Sequence, residues 1–162
     1  RGIKIFFYGL LITLITYFLL GEGYIVFGVL HCIGLSILLS YPFIKNEKIV
    51  LTLTTAILLI IIGILLRFFV FDFNTLLWLG FIPRRFYTLD YYPLLPWFGV
   101  ILIGISLGKK FYKNNKRSFH INDYSEKSII VYLSYLGRHS LLIYFIHQPI
   151  IIFVLLLIKQ II

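Results

Sequence analysis

Residues 49–71 read IVLTLTTAILLIIIGILLRFFVF, and the only charge in these 23 residues is Arg67, close to their end. An α-helix rises about 1.5 Å per residue, so crossing a hydrocarbon core of about 30 Å takes about 20 apolar residues. This stretch meets that length, and it sets the terms for the rest of the chain. Four more stretches read the same way: Ile3–Leu20, Ile25–Ile44, Tyr92–Gly108 and His139–Ile158. Between the last two, Glu126–Leu136 (EKSIIVYLSYL) reads as an interfacial helix stopped by Gly137. The expected fold is all-α: a polytopic transmembrane bundle of about five spans plus one interfacial helix, forming a single domain over 1–162.

Composition agrees with this reading. The 162 residues are 60% hydrophobic and 19% aromatic with a mean hydropathy of +0.99. Only 13% are charged, against roughly 25% in soluble domains. The net charge of +9 is assigned to loops on the positive side of a membrane, not to nucleic acid. A single cysteine, Cys32, excludes an internal disulfide and any cysteine-based metal cluster. The first stretch lacks a small-residue cleavage site and is read as a retained span. With no methionine at the start or anywhere else, the chain is expected to be part of a longer protein with further spans upstream. Abundant Ile, Lys and Asn point to an AT-rich prokaryotic genome.

Loop charge orients the bundle. Ten basic residues, from Arg1 to Lys127, fall on one side of this layout, and three, Arg84, Arg85 and Lys159, on the other, with Arg67 and Arg138 at helix ends. The reading is therefore a multi-pass cell-membrane protein with loop 109–127 cytoplasmic and loop 72–91 extracytoplasmic.

An ionisable group inside the hydrocarbon costs about 2.5 to 3.5 kcal/mol, so the few that occur are informative. His31 is placed six residues into the second stretch, about 9 Å deep. Arg67 and Asp90 flank the outer loop, and all three are expected to meet near the outer face. In the last stretch Ser140, Tyr144 and His147 recur at i, i+4 and i+7, with Gln148 four after Tyr144, so they share one helix face. Pro149 follows and frees the Phe145 carbonyl. Small residues repeat every four positions at Gly28, Cys32, Ser36 and Ser40, and again at Gly104 and Gly108, and both rows read as packing seams.

Each group also has a plain structural reading. His31 can simply bond across helices, Arg67 can snorkel, and Arg138 with His139 can anchor the last span at the cytoplasmic face. As chemistry, a histidine of near-neutral pKa can serve as general base or transient acyl acceptor, and Asp90 is the one acidic residue near enough to orient it. No metal set, P-loop, nucleophile elbow or dinucleotide fingerprint is present in the sequence. On spacing alone a membrane transferase and a proton-coupled transporter stay equally open, with a structural membrane subunit as a third class.

Three segments, FGVLHCIGLSILL, DYYPLLPWFGVILIGISLGK and LGRHSLLIYFIHQPI, resemble in order and spacing the heparan-alpha-glucosaminide N-acetyltransferase catalytic-domain family of polytopic membrane acyltransferases. The resemblance covers nearly the whole chain. It implies transfer of an acetyl or other acyl group from cytoplasmic acetyl-CoA to an amino or hydroxyl group, typically of a sugar or glycan, on the far side. The matching positions are His31, Asp90, Tyr91, Pro93, Pro96, Trp97, Arg138, Ser140, Tyr144, His147 and Pro149. The histidine held to be catalytic in the animal enzyme lies on a span upstream of this chain, so no residue here inherits that role. Taken together, the candidate catalytic residues are His147, His31 and Asp90. The candidate substrate-binding residues are Arg67, Trp97, Arg138, Ser140, Tyr144 and Gln148, with no metal. The expected partners are the lipid bilayer, acyl-CoA and a sugar acceptor.

Overall fold

The computed structural model describes residues 1–113, 116–120, 126–146 and 157–158, which fall into two compact units, 1–118 and 119–162. The first unit is a helical bundle. Helix α1 spans Gly2–Leu20, α2 Val29–Leu39, α3 Tyr41–Lys45, α4 Ile49–Leu66 and α5 Leu94–Phe111, with a short 3-10 turn at Leu77–Leu79. Two strands, β1 (Tyr112–Lys113) and β2 (Lys116–Arg117), form a minimal antiparallel hairpin after α5. Helices α1, α4 and α5 are each long and apolar enough to cross a membrane.

The second stretch departs from its expectation. Residues Ile25–Gly28 are not helical, and the helix begins only at Val29. The reason is main-chain pairing: Phe27 bridges Tyr91, Tyr92 N–H donates to the Phe27 carbonyl at 3.0 Å, and Leu89 N–H donates to that of Gly23 at 3.1 Å. Non-helical backbone at the end of a membrane bundle persists only where such partners exist. α2 is therefore 11 residues long, about 16 Å. It gives way to α3 around Ser40, because Pro42 has no N–H to offer the Leu38 carbonyl.

The other ends shift by about a turn. α4 stops at Leu66, with Arg67 as its C-cap, and Phe71 pairs with the 82–83 segment, its N–H donating to the Ile82 carbonyl at 3.1 Å. α5 runs past Gly108 because Lys109 folds back, its Nζ donating to the carbonyls of Phe43 and Asn46 and closing the C-terminal end of α3.

Two close helix pairs, α1 with α2 and α4 with α5, make up the bundle, and small residues set both. A Cβ on Gly34 would lie 2.5 Å from the Phe6 nitrogen, and one on Gly63 would lie 2.6 Å from the Pro96 nitrogen. Gly99 is pressed in the same way on the Ala56 carbonyl. At the expected seam of Gly104 and Gly108 no described residue lies within 4 Å of a Cβ, so among the described residues this row makes no close contact. Glycine permits close approach without requiring it, and here the tight contact falls one turn earlier on α5. The core has two parts, Ala56–Leu94–Phe98–Leu102 and Phe27–Cys32–Leu77, with Leu35 packed against both.

In the second unit α6 spans Ser128–Arg138, and a further helix, α7 (Ser140–Ile146), follows at a bend of 65°. α6 continues through Gly137, where a stop was expected. The His139 ring closes it, Nδ1 lying 2.9 Å from the Tyr135 carbonyl.

Candidate functional site

The polar groups of the first unit gather where the N-terminus of α2 meets α1 and the 88–93 segment. Val29 N–H, one of the unpaired donors that open α2, donates to Asp90 Oδ2 at 3.0 Å. A carboxylate there is also aligned favourably with the helix dipole. Asp90 is half-buried, and its Oδ1 has no hydrogen-bond partner among the described residues. Gly28 makes the arrangement possible, since a Cβ at that position would collide with the Asp90 carboxylate. Asp90 itself is held by its neighbours: Thr88 Oγ1 donates to the Tyr24 carbonyl at 2.8 Å, and Leu89 and Tyr92 pair with the 23–27 segment.

His31 lies one turn into α2 and is only 2% exposed. Because α2 starts at Val29, it sits at the third helical position. Its Nδ1 accepts from Gly28 N–H at 3.2 Å, the back-reaching half of a capping box. With Nδ1 an acceptor, the proton belongs on Nε2, which lies 3.3 Å from Thr13 Oγ1 and donates to it. Phe6 meets the ring edge-on at 5.5 Å, Phe27 lies at 5.4 Å with its plane tilted by 31°, and Gly9 of α1 leaves room for it. Both ring nitrogens are thus occupied. His31 joins α1 to the α2 N-terminus and has no lone pair to offer a substrate in this state.

Arg67 stands exposed at the end of α4, its charge acting on Tyr91, next to Asp90. The Tyr91 hydroxyl donates to the Leu77 carbonyl at 2.7 Å, and burial pushes its phenol up to about 12 although Arg67 pulls the other way. Trp97, 37% exposed, stacks at 5.2 Å on Tyr92. The expected meeting of His31 and Asp90 is therefore observed, with Arg67 linked to them through Tyr91. Sequence reasoning passed over Thr13, Gly9 and the anchoring threonines Thr16 and Thr88. The signal was there for Thr13 and Thr16, the two threonines of a mostly apolar α1, and Thr16 Oγ1 accepts from Ile25 N–H at 3.1 Å.

In the second unit Ser140 and Tyr144 lie four residues apart on α7. Arg138 ends α6 and lines a cavity there. His147, Gln148 and Pro149 lie outside the described residues. Among the described residues no group of His, Cys, Asp and Glu is placed to hold a metal ion.

Residues 1–149 match the family model described as heparan-alpha-glucosaminide N-acetyltransferase, catalytic. The chain belongs to this family. The match runs from α1 to the proline that follows the last polar stripe, so it contains both the Asp90 cluster and α6–α7. Membership makes this a membrane protein of an acyltransferase family, as the motif resemblance implied. No curated protein and no solved structure matches the chain.

Proposed function

We propose that this chain is a multi-pass membrane acyltransferase that moves an acetyl or other acyl group from cytoplasmic acyl-CoA to an amino or hydroxyl group of a sugar or glycan on the outer side. The observation that carries this reading is Asp90, clamped through Oδ2 by the α2 N-terminus and with Oδ1 open. In the reaction the acceptor's nitrogen or oxygen attacks the thioester carbonyl. A C–N or C–O bond forms, the C–S bond breaks, the acceptor's proton passes to Asp90, and CoA leaves as the thiol after taking up a proton. His31 and Gly28 position Asp90, and Arg67 and Trp97 border the acceptor's approach.

Two further points support the reading. The loops 21–28 and 88–92 are paired at one end of the bundle, while Lys109 ties the 43–46 segment to the C-terminal end of α5. That second end also carries the exposed cations Lys45, Lys48 and Lys110, which suit the phosphates of CoA. A proton relay through His31 would first have to break its bonds to Gly28 and Thr13, which favours a transferase over a proton-coupled transporter. Ser140, Tyr144, His147 and Gln148 are assigned to the lining of the acyl path.

The test is acyl transfer by the full gene product in inside-out vesicles, with labelled acetyl-CoA outside and a panel of amino sugars and glycans. Label should reach an acceptor, and Asp90→Asn should cut turnover at least about tenfold, about 1.4 kcal/mol of barrier, without preventing insertion. No transfer and no acetyl-CoA hydrolysis by the wild type, together with a proton-coupled flux, would overturn the reading.

A further inference from the structure

The helix least accounted for by acyl transfer is α6. Its 11 residues reach about 16 Å, half of a hydrocarbon core. Every residue of α6 except Leu136 is exposed, and none is buried. That exposure is not uniform in character. Ile129, Tyr132, Leu133 and Leu136 recur at i, i+3, i+4 and i+7 and form one apolar face, with Ile129 75% exposed. Lys127, Ser134 and Arg138 lie on the opposite side. A cavity of about 300 Å³ runs along that side, lined by Ile130, Val131, Ser134, Tyr135 and Arg138. It therefore presents apolar walls toward one end and a hydroxyl and a guanidinium toward the other.

The bend that follows supplies the orientation. α6 and α7 meet at 65°. If α6 lies flat in the membrane plane, α7 can stand as near as about 25° to the membrane normal, close to the roughly 20° average tilt of spanning helices. If instead the two helices formed one broken span, each could lean by about 32°, within the range of spanning helices, but Arg138 at the bend would be carried into hydrocarbon. The hinge is also defined chemically: the His139 ring stays on the Tyr135 carbonyl and stacks on the Tyr135 ring at 4.4 Å, so α6 ends where the turn begins.

We propose that α6 is an in-plane membrane helix whose apolar face enters the acyl region and whose Lys127–Ser134–Arg138 side binds the phosphate of an anionic phospholipid head group. Arg138 then serves the bilayer and not the acyl donor. The guanidinium takes the phosphate oxygens in charge-assisted bonds, Ser134 donates a further one, and Ile130, at the edge of the apolar face, meets the glycerol and upper acyl carbons while Val131 stays at head-group level. Among the described residues of this unit the acidic one is Glu126, which precedes the helix at its N-terminal end, where a negative charge is favoured. This assignment rests on the chain's membrane location and is independent of acyl transfer.

The test uses the full chain reconstituted in vesicles of equimolar phosphatidylcholine and phosphatidylglycerol, with nitroxides placed singly at Ile129→Cys, Val131→Cys, Leu133→Cys and Ser134→Cys; Cys32 is buried. Labels at 129 and 133 should collide with oxygen more than with a water-soluble nickel chelate, and labels at 131 and 134 should do the reverse. Uniform access to the nickel chelate at all four positions, or shielding from both agents, overturns the in-plane placement. The phosphatidylglycerol retained by purified Lys127→Gln/Arg138→Gln protein, relative to phosphatidylcholine, should fall at least about fivefold, the factor that one basic contact with an anionic surface supplies. Unchanged retention, or a loss of acyl-CoA binding in its place, overturns the head-group assignment. Neither readout depends on turnover, so a failed acyltransferase reading and a failed α6 reading are told apart.

Discussion

Gly28→Ala tests the geometry that joins α2 to Asp90. Gly28 has φ −96° and ψ −171°, an extended backbone that alanine adopts freely, so no backbone strain arises. What the new methyl meets is the carboxylate: its Cβ would lie 3.0 Å from Asp90 Cγ and nearer still to Oδ2, with Ile25 Cγ2 also at 3.0 Å on the other flank. Asp90 cannot back away as a unit, because Leu89 and Tyr92 are pinned to Gly23 and Phe27 by main-chain bonds of 3.1 and 3.0 Å. The carboxylate must rotate and release Val29 N–H. Losing a hydrogen bond to a charged group costs about 1.5 to 3 kcal/mol, and the stiffer unfolded chain of alanine returns about 0.4 to 1 kcal/mol. A net loss of about 1 to 2 kcal/mol follows, measured by reversible unfolding in mixed micelles with increasing dodecyl sulfate. Acyl transfer should fall at least about tenfold as the base is misplaced. The control is Gly104→Ala, where no described residue lies within 4 Å; it should leave stability unchanged or raise it by up to about 1 kcal/mol. A Gly28→Ala protein with wild-type stability and turnover would refute the account of Asp90 given above.

Three other outcomes are expected. Gly63→Ala should destabilise by about 1 to 3 kcal/mol in the same micelle titration, because its methyl falls on the Pro96 backbone at 2.6 to 2.7 Å and α4 must move away from α5. His31→Phe keeps the ring but leaves Gly28 N–H and Thr13 Oγ1 unpaired, at about 1 to 3 kcal/mol for each group left buried without a partner; near-native stability would mean that water takes over both. In an absorbance titration of the phenols one tyrosine should resist ionisation until about pH 12, and Tyr91→Phe should remove that step. Since its folded pKa is raised above the ordinary value near 10, the stability that Tyr91 contributes is complete below about pH 10 and is lost as pH rises through about 12.

The long apolar runs were enough to place α1, α4 and α5, because hydrocarbon length constrains helices strongly, and the shorter run at 126–136 to place α6. The meeting of His31 with Asp90 was also legible, since polar groups this rare have few places to go. What the runs could not show is that Ile25–Gly28 leaves the helix: an apolar tetrapeptide looks alike in helical and extended form, and the main-chain partner of Phe27 is more than sixty residues away. The row of small residues on α2 is buried as its spacing suggested, whereas the row on α5 meets no described neighbour, for a related reason. Gly104 and Gly108 have the right spacing, yet contact is decided by which ridge the neighbour presents, and α4 offers Ala56 and Gly63 to Gly99 and Pro96. The role of His31 depended on which atoms face its two nitrogens: the Gly28 N–H contact has capping-box spacing but needs the helix to start at Val29, and the Thr13 contact comes from another helix.

The pairing of residues 23–29 with 88–92 has a consequence for how the protein is made. Val29 N–H and its acceptor Asp90 are 61 residues apart, and translation at about 5 to 20 residues per second separates their emergence by about 3 to 12 seconds. During that interval α1 and α2 can already pack through Gly2, Gly9 and Gly34, and Ile25 and Gly28 can bond to Thr16 and His31, while the groups that pair with 88–92 have only water or the insertion machinery to bond to. The segment leading into α2 is thus only half closed until the 88–92 segment arrives. A substitution there, such as Gly28→Ala, acts twice: once on the finished site, and once on a nascent chain that waits, unsealed, for the arrival of its carboxylate.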